Sequence, residues 1–446
     1  MPNETGAGRM PLEGEAERTG GAAGATEPSV GAAAEQPKAA TSGDAAAKAV
    51  AAQQPAAASS DKSPLAPRIL PGSTIGVLGG GQLGRMLAIA GRAMGYRFVT
   101  LEPSADSPMG QTADRQITAA YDDAEAAREL ARVSHVITYE FENVDAGIAE
   151  MLAKESYVPQ GHALLHTTQH RLREKRAIEA AGVPVAPYAE VQSEADVLEA
   201  IRRFGLPVVL KTATGGYDGK GQRVIRSEAE AGAAFHELEA AGTELVLEKF
   251  IRFERELSVI AARSTRGEVK AFPPAENIHK DNILHVSIAP ARIPAAISRR
   301  AEELAIRLAD GLQAVGLLAV EMFLTPEGEL FVNELAPRPH NSGHHTIEAC
   351  RTSQFEQHVR AICGLPLGST ELITPAVMVN LLGEHVEPAL AWLNEQDREE
   401  DGLAVKLHLY GKAEAKPKRK MGHITLLGED TERALAWVER SGIWAR

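Results

Sequence analysis

The apolar residues after position 72 fall into short runs that alternate with segments of helical spacing. The run Ser73–Gly80 predicts a buried strand, Gln82–Gly95 predicts an amphipathic helix, and Tyr96–Pro103 predicts a second strand. A strand–helix–strand unit favours a parallel sheet with helices on its faces. The ordered part of the chain is therefore expected to open as an α/β domain.

Strand patterns dominate the second half of the chain. Leu206–Ala213 and Leu245–Ile251 predict strands, with a glycine-rich turn and a helix between them, and a long helix precedes an acidic hairpin further on. The predicted organisation is an N-terminal parallel-sheet domain at residues 69–168, an α+β domain at 169–374, and a small β-rich domain at 375–446.

Residues 1–68 differ in kind from the rest of the chain. They are rich in Ala, Gly and Pro, contain no aromatic residue, and show no periodicity that would bury a face. This composition predicts a disordered extension. A secretory signal needs an apolar core and an organellar transit peptide is poor in acids, so the glutamates of this stretch argue against both.

Composition narrows the classes of function. Across 446 residues, 47 basic and 60 acidic side chains leave a net charge of −13, which disfavours a nucleic-acid partner. Cys350 and Cys363 offer no disulfide framework and no metal spacing, as is usual for a cytoplasmic protein. No apolar run approaches the roughly 20 residues that span a bilayer, so no membrane association is expected.

The acidic hairpin is the most informative feature. Leu317–Leu324 and Glu329–Pro337 predict strands joined by a turn of four residues, Thr325–Gly328, and this hairpin is expected to place Glu321 opposite Glu334. Like charges at such a position are destabilising. A chain keeps the pair when a cation lies between the carboxylates, and oxygen ligands on a rigid sheet suit Mg²⁺. The alternative is a solvated hairpin face with two independent glutamates.

The first glycine motif, Gly79–Gly84, has the form G-x-G-x-x-G and lies between a predicted strand and a predicted helix. Such glycines let an anion approach the helix N-terminus. Glu102 ends the second strand, where it matches the acidic residue that would hold an NAD ribose. The motif alone permits a dehydrogenase, but the same loop serves any α/β sheet that binds a phosphate there.

The second glycine motif, Thr214–Gln222, lies between two predicted strands and carries Lys220. Its glycines free backbone N–H groups to wrap phosphate oxygens, with the lysine as a point charge. No Ser or Thr follows the lysine and a strand follows the loop, so this is not a Walker A loop. A flexible hairpin turn is the alternative, but Lys211 ends a buried strand, where a lysine needs an anion.

Three further polar segments carry weaker signals. Leu247–Ile251, with Glu256 beyond it, could bind an adenine and a ribose, or could be a charged surface strand. Pro337–His345 ends in adjacent histidines that point apart in any regular structure, which favours a polar rim of a magnesium site over zinc. The basic stretch Lys412–His423 resembles a nucleic-acid patch, but on an acidic protein it fits a clamp on a phosphorylated small molecule better. A solvated charge run is its alternative.

Several longer segments resemble, in order, those of N5-carboxyaminoimidazole ribonucleotide synthetases, which are ATP-grasp enzymes of purine biosynthesis. These segments are GVLGGGQLGRMLA, YEFENV, TGGYDGKGQ, FERELSVI, VEMF, NELAPRPHNSGHHTIEAC and KRKMGH. The resemblance runs from about Thr74 to the C-terminus and leaves out the N-terminal extension. His345 departs from it, because the family usually carries an aromatic residue there.

The resemblance implies an ATP-grasp fold with a glycine-rich lid at about 183–255, acting as a carbon–nitrogen ligase that releases ADP and phosphate. In the implied reaction, ATP and bicarbonate form carboxyphosphate, which carboxylates 5-aminoimidazole ribonucleotide. It also implies two Mg²⁺ ions and a homodimer. The hairpin carboxylates Glu321 and Glu334 would hold the metal.

Other roles follow from the resemblance residue by residue. The residues implied to bind ATP are Arg171, Lys211, Gly216, Gly219, Gly221, Gln222, Glu248, Lys249, Phe250, Glu256 and Asn333. Strand alternation requires the second hairpin strand to bend or end at the last of these. The residues implied to bind the ribonucleotide are Gln82, Glu142, Tyr217, Lys412, Lys418, Arg419 and Lys420, and the order of the last three is open. The residues implied to act on the reacting groups are Asp218, Arg338, His340 and Asn341.

Three alternatives remain open at the level of sequence. A formate-dependent glycinamide ribonucleotide formyltransferase shares the fold and differs in its acceptor. An NAD-dependent oxidoreductase would use the first glycine motif. A catalytically silent binding subunit is disfavoured, because the acidic pair, Lys211 and the glycine-rich loop are all intact.

Overall fold

The computed structural model describes residues 66–215, 220–240, 242–395 and 402–445. Most of the predicted extension lies outside these ranges, as do the predicted site residues Gly216, Tyr217, Asp218 and Gly219. Within the described ranges, every helix is too short or too polar to cross a bilayer.

The first part of the described chain is a parallel sheet with the strand order β3-β2-β1-β4. Its strands and helices are β1 (Thr74–Leu78), α1 (Gln82–Ala93), β2 (Arg97–Leu101), β3 (Arg115–Ile117), α2 (Ala124–Val133), β4 (Val136–Tyr139), α3 (Ala146–Glu155) and α4 (Ala163–Thr168). Consecutive residues of β1 face opposite sides, so Val77 packs with Leu87 of α1 while Leu78 packs with Leu130 of α2. The predicted α/β opening is confirmed.

The second part is a small antiparallel sheet with the strand order β5-β8-β6-β7. Its elements are α5 (Arg171–Ala180), β5 (Tyr188–Val191), α6 (Glu194–Phe204), β6 (Val208–Thr212), β7 (Gln222–Ile225), α7 (Ala231–Glu239) and β8 (Leu245–Lys249). Val208 and Leu210 of β6 are fully buried against α6 and α7. Lys211 alternates to the opposite face, where it is half-buried and lines the cavity described below.

The third part is a large antiparallel sheet with the order β14-β13-β9-β11-β12-β15-β17-β16, and β10 pairs with β9. Its elements are β9 (Arg255–Arg263), β10 (Val269–Ala271), β11 (Ala275–Lys280), β12 (Ile283–Ala289), α8 (Ala295–Gly311), β13 (Gly316–Leu324), β14 (Leu330–Ala336), α9 (Thr346–Ala349), α10 (Gln354–Ile362), β15 (Ala376–Leu382), α11 (Val386–Asn394), β16 (Ala404–Leu409), β17 (Lys420–Leu427) and α12 (Thr431–Arg440). The strands predicted as a small β-rich domain continue this sheet, because β15 pairs with β12 over Val286–Ala289.

The acidic hairpin forms with the predicted pairing but by a different route. Glu321 lies opposite Glu334, as expected, yet the connection between the strands has five residues, Thr325 to Glu329, and not four. An unbroken ladder across five residues would place Asn333 opposite Glu321. A β-bulge shifts the register between Glu321 and Met322, leaves Asn333 as the extra residue, and brings Glu334 across from Glu321. The predicted irregularity of the strand at Asn333 is thereby confirmed.

The described chain is anchored at its start by two hydrogen bonds of Ile69. Its N–H donates to the Cys363 carbonyl at 2.9 Å, and the Tyr96 hydroxyl donates to its carbonyl at 2.6 Å. A chain that starts at residue 66 is therefore expected to keep its stability and activity, whereas one that starts at Leu70 should lose about 1–3 kcal/mol of unfolding free energy. Urea unfolding of the two truncates, with activity measured in parallel, checks both statements. Inactivity of a folded chain starting at residue 66 would give the extension a role in catalysis.

Candidate active site

A cavity of about 660 Å³ lies between the acidic hairpin, the small sheet and the loops that follow β4 and β14. Its size suits a nucleotide-sized ligand. The predicted site residues that line it are Glu142, Arg171, Lys211, Gln222, Glu256, Glu321, Asn333, Glu334, Arg338, His340, Asn341 and Lys420. The other predicted site residues that the structure describes do not line the cavity; they are Gln82, Gly221, Glu248, Lys249, Phe250, Lys412, Lys418 and Arg419.

The facing carboxylates of the hairpin form the acidic centre of the cavity. His340 Nε2 lies 3.1 Å from Glu321 Oε1, and Arg171 Nη1 lies 3.5 Å from Glu334 Oε2. Desolvation and the negative charge of Glu321 raise the pKa of Glu334. The pair is therefore under electrostatic strain that a cation between the two carboxylates would relieve.

This arrangement passes a chemical test for Mg²⁺. Among the described residues, no cluster of three or more His, Cys, Asp or Glu side chains could enclose a metal. Glu321, Glu334 and the amide of Asn333 instead line an open cavity. Mg²⁺ commonly takes one or two protein carboxylates and completes its shell with phosphate oxygens and water, so the donor set fits this ion better than zinc.

Lys211 has its anion inside the protein. Glu248 of β8 is 3% exposed, and its carboxylate lies 3.0 Å from Lys211 Nζ and 3.2 Å from Lys175 Nζ. Burial opposes ionisation of Glu248, but the charges of Lys211 and Lys175 outweigh burial and lower the pKa of Glu248 to about 2. The carboxylate of Glu248 joins the two lysines, and its predicted contact with adenine stays a prediction. Among these three described residues, Lys211 is the one that lines the cavity.

Lys175 was missed by the sequence reasoning, although its position held a signal. Leu172, Lys175 and Ile178 follow one another at intervals of three on α5, and all are at most 1% exposed. A lysine in register with two buried apolar residues occupies the inner face of its helix and requires a partner there.

Glu174 was also missed, and it supports the bulged strand from the side. Its Oε1 accepts a hydrogen bond from the Leu335 N–H at 2.8 Å, and the side chain lines the cavity near Glu334. Burial and the charge of Glu334 raise the pKa of Glu174 to about 8.

Replacing Glu174 with glutamine is expected to change the pH dependence of stability. The folded chain holds the Glu174 proton up to about pH 8, whereas in the unfolded chain the carboxyl group has its ordinary pKa of 4.5. The unfolded state therefore binds fewer protons in this window, so the contribution of Glu174 to stability falls as pH rises. Relative to wild type, the variant should gain about 2–4 kcal/mol between pH 5 and pH 8.5.

Urea unfolding at the two pH values measures this gain. Glu179→Gln, at an exposed position of the same helix, is the matched control and should show no such change. Equal pH slopes for wild type and Glu174→Gln would mean that Glu174 is already ionised in the folded protein.

The loop after β14 is tied to two other parts of the molecule. Arg338 binds Glu142 through two guanidinium nitrogens, with Nη2 at 3.0 Å from Oε1, which joins it to the segment after β4. Asn341 and Asn380 exchange amide hydrogen bonds of 2.9 and 2.8 Å, which joins the loop to β15. The polar rim predicted for this loop therefore has fixed side chains.

The adjacent histidines of this loop point apart, as predicted. His344 packs against Tyr410 and His423, whereas the Nδ1 atom of His345 lies 2.9 Å from the Ser342 carbonyl oxygen. Both side chains are buried, and burial lowers the pKa of each imidazole. Neither histidine lines the cavity.

The first glycine motif is filled by a carboxylate of the protein itself. Glu140 accepts hydrogen bonds from the N–H groups of Gly81 and Gly84 at the start of α1. A Cβ atom on Gly81 would lie 2.7 Å from Glu140 Oε1, which explains the glycine there. Burial raises the pKa of Glu140 to about 7. Glu102, the candidate ribose ligand, accepts instead from the Gly80 N–H at 2.9 Å.

His279 is a further residue that the sequence reasoning missed. It forms an ion pair with Glu256, and both side chains line the cavity. Burial favours the neutral imidazole, but the hydrogen bond to Glu256 and the charges of Glu256 and Glu321 outweigh burial and raise the pKa of His279. Glu256 is therefore held toward the cavity by a residue of β11.

Among the described residues predicted in the basic loop, Lys420 is the one that lines the cavity. Lys412 Nζ donates to the Lys420 carbonyl at 2.7 Å, and burial lowers the pKa of Lys412 to about 8. Lys418 Nζ lies 3.3 Å from Asp281, and Arg419 donates to the Glu414 carbonyl at 3.1 Å. Lys418 and Arg419 therefore contact other parts of the protein, whereas Lys420 lines the cavity.

Comparison with known proteins identifies the family of this chain. Three family profiles match in chain order: a ribonucleotide synthetase preATP-grasp domain at residues 73–169, an ATP-grasp domain at 176–355, and a phosphoribosylaminoimidazole carboxylase C-terminal domain at 376–436. The N5-carboxyaminoimidazole ribonucleotide synthase of Bacillus subtilis (strain 168) is 55% identical over 357 residues, which cover 80% of this chain and 92% of that protein. This chain belongs to the N5-carboxyaminoimidazole ribonucleotide synthase family.

Other members support the assignment. The synthase of Brucella melitensis biotype 1 is 47% identical over 80% of this chain and 96% of its own length. A solved ADP complex of an N5-carboxyaminoimidazole ribonucleotide synthetase has a TM-score of 0.81 and 54% identity, covering 85% of this chain and 98% of that chain. An Aspergillus clavatus synthase, solved with ADP and 5-aminoimidazole ribonucleotide, has a TM-score of 0.75 and 32% identity over 83% and 97% of the two chains.

Membership of the synthase family confirms the predicted ATP-grasp fold and the prediction of an ATP-dependent ligase. It also favours an ATP-dependent ligase over an NAD-dependent dehydrogenase. The structure supplies the physical reason, because Glu140 already occupies the helix N-terminus that a dinucleotide phosphate would need.

Proposed function

We propose that this chain carboxylates the amino group of 5-aminoimidazole ribonucleotide, using ATP and bicarbonate and releasing N5-carboxyaminoimidazole ribonucleotide, ADP and phosphate. The observation that carries the proposal is the facing pair Glu321 and Glu334 on the bulged hairpin, directed into a cavity that Arg171 and Lys211 also line. The two carboxylates can hold a metal ion, and the two cationic side chains can bind the phosphate oxygens of a polyphosphate in the same cavity.

The phosphate end of ATP would lie between these acids and bases. Arg171 and Lys211 would offset the negative charge that develops on the transferred phosphoryl group, in a cavity where desolvation strengthens their effect. Glu321, Glu334 and Asn333 would hold Mg²⁺, which when bound would screen the phosphate oxygens and orient them. Glu256, kept in place by His279, would bind the ribose hydroxyls.

Bicarbonate would attack the γ-phosphorus through an oxygen, so that ADP leaves and carboxyphosphate forms. Water destroys such an anhydride, so the cavity must be closed during the reaction. The glycine-rich segment between β6 and β7 would serve as the lid, and its described residues Thr214, Gly215 and Lys220 already line the cavity.

The amine nitrogen would then attack the carbonyl carbon of the intermediate, with phosphate leaving and the amine losing a proton. Arg338, held by Glu142, would orient the carboxyl group, and Lys420 would bind the ribonucleotide phosphate. His340 is the described candidate for accepting the proton, because its side chain lines the cavity. The other candidate, Asp218, lies outside the described residues.

The protein is expected to act in the cytoplasm as a homodimer. Cys350 and Cys363 are buried and free, as suits a reducing compartment. Sedimentation analysis would test the oligomeric state.

The proposal is tested by measuring ADP release with Mg-ATP and bicarbonate, with and without 5-aminoimidazole ribonucleotide. Release that requires the ribonucleotide, together with the carboxylated product, supports the proposed reaction. Release that instead requires formate and glycinamide ribonucleotide would keep the fold and replace the reaction. The absence of ATP turnover with either set of substrates would contradict both.

A further inference from the structure

The main chain of His340 is held by a glutamine that no part of the reaction described above uses. Gln354 stands at the start of α10 and is fully buried. Its Oε1 atom accepts a hydrogen bond from the His340 N–H at 2.8 Å, and its Nε2 donates to the His340 carbonyl at 2.7 Å. One side-chain amide therefore satisfies both polar groups of this residue, as a neighbouring strand would.

The ring of His340 is fixed by a separate set of contacts. Its Nδ1 atom lies 2.8 Å from the Ser342 hydroxyl oxygen, which accepts a hydrogen bond from the Ser258 hydroxyl at 2.7 Å. Its Nε2 atom lies 3.1 Å from Glu321. These ring contacts set the rotation of the imidazole, but the position of its Cα atom depends on the main chain that Gln354 holds.

The surroundings of Gln354 show a closely fitted contact. A Cβ atom on Gly343 would lie 2.1 Å from Ile260 Cδ1 and 2.9 Å from Gln354 Oε1, so glycine lets the loop lie close to both side chains. The Gln354 N–H donates to the Thr346 hydroxyl at 2.9 Å. His344 is the titratable group that faces the amide, with Nδ1 at 3.2 Å from Gln354 Nε2.

We propose that Gln354 is a positioning residue for the carboxylation reaction, which acts by fixing the main chain of His340 against the acidic pair. This inference rests on the proposed function. Loss of the amide would let His340 shift relative to Glu321 while the fold persists, and a displacement of about 1 Å can lower a rate about 10²-fold.

The same helix offers a matched control. Gln357, one turn further along, is also fully buried, and its amide holds Gly368 in the same way, with bonds of 2.8 Å from the Gly368 N–H and 3.1 Å to its carbonyl. Gly368 is not part of the cavity lining. Gln354→Leu and Gln357→Leu thus remove equivalent hydrogen bonds at equal burial, and they differ in which segment is released.

Gln354→Leu is expected to lower kcat for product formation by about 10–100-fold, with KM for ATP changed less than twofold, whereas Gln357→Leu keeps kcat within about threefold. The free energy of unfolding, measured for both in urea, should fall by similar amounts. Equal kcat values for the two folded variants would overturn the proposal.

Gln354→Glu supplies a test that does not depend on stability. A protonated carboxyl group accepts from the His340 N–H and donates to its carbonyl, as the amide does, whereas an ionised carboxylate would face that carbonyl without a proton. The ratio of the kcat of Gln354→Glu to that of wild type should therefore rise as pH falls. The corresponding ratio for Gln354→Leu should not rise, and it serves as the control for any contribution of His344 titration. A flat ratio for Gln354→Glu would contradict the proposal. Absence of ribonucleotide-dependent turnover in wild type would instead refute the proposed function.

Discussion

Glu334→Gln is expected to lower ATP turnover by about 10²-fold or more. Glutamine keeps the shape of the side chain but removes half of the charge that the Glu321–Glu334 pair offers to a metal. The desolvation and like-charge repulsion that raise the pKa of Glu334 should also be relieved by the change. The variant is therefore expected to be as stable as wild type, or more stable, while turning over poorly.

Turnover as a function of Mg²⁺ concentration checks this expectation, together with a urea unfolding curve. The Mg²⁺ concentration for half-maximal rate should rise in Glu334→Gln. Glu327→Gln, in the exposed turn of the same hairpin, is the matched control and should behave as wild type. Unchanged turnover and Mg²⁺ dependence in Glu334→Gln would remove the acidic pair from the proposed mechanism.

Glu248→Gln is expected to destabilise the protein by about 3–5 kcal/mol, because it leaves Lys175 and Lys211 buried without their shared anion. Glu237→Gln is the control, since Glu237 pairs with Arg223 on the surface, where an ion pair contributes less than about 1 kcal/mol. Urea unfolding at neutral pH gives both values. A loss below 1 kcal/mol for Glu248→Gln would show that one of the lysines releases its proton readily.

The pH dependence of this loss has a definite sign. The pKa of Glu248 is about 2 in the folded protein, below its ordinary value of 4.5. Its contribution is therefore present above about pH 4.5 and is lost as pH falls toward 2. The difference in unfolding free energy between wild type and Glu248→Gln should shrink over that window, provided that both remain folded enough to measure.

The sequence was sufficient to predict the facing pair Glu321 and Glu334 but not the geometry that produces it. Alternation and turn signals predict a hairpin, whereas the bulge at Asn333 depends on contacts from outside the hairpin. The Val332 N–H donates to the Pro184 carbonyl and the Leu335 N–H donates to Glu174, both from segments distant in sequence. The local sequence pattern of the hairpin does not predict such contacts.

Side chains buried within charged segments were the hardest to predict. Helix α5 reads as a run of surface charges, so Glu174 and Lys175 were not recognised as inner-face residues. The ion pairs of Glu248 with Lys175 and Lys211 were not predicted, because the two lysines lie on two other elements. The basic loop could not be ordered, because the turn that separates Lys418 from Lys420, with Lys418 at φ 61°, is set by its tertiary contacts. The roles proposed for these residues remain predictions.

The pairing of β15 with β12 means that the last third of the sheet is not a detachable module. A chain cut before Ala376 would leave β12 with unpaired backbone groups beside Val286 and Ile288, both buried in the intact protein. An exposed edge of that kind invites intermolecular pairing and aggregation. The strands that carry the acidic pair and those that carry Lys420 are therefore bound into one cooperative unit, and disorder at the C-terminal end would be transmitted through the hydrogen-bonded ladder to the end that carries Glu321 and Glu334.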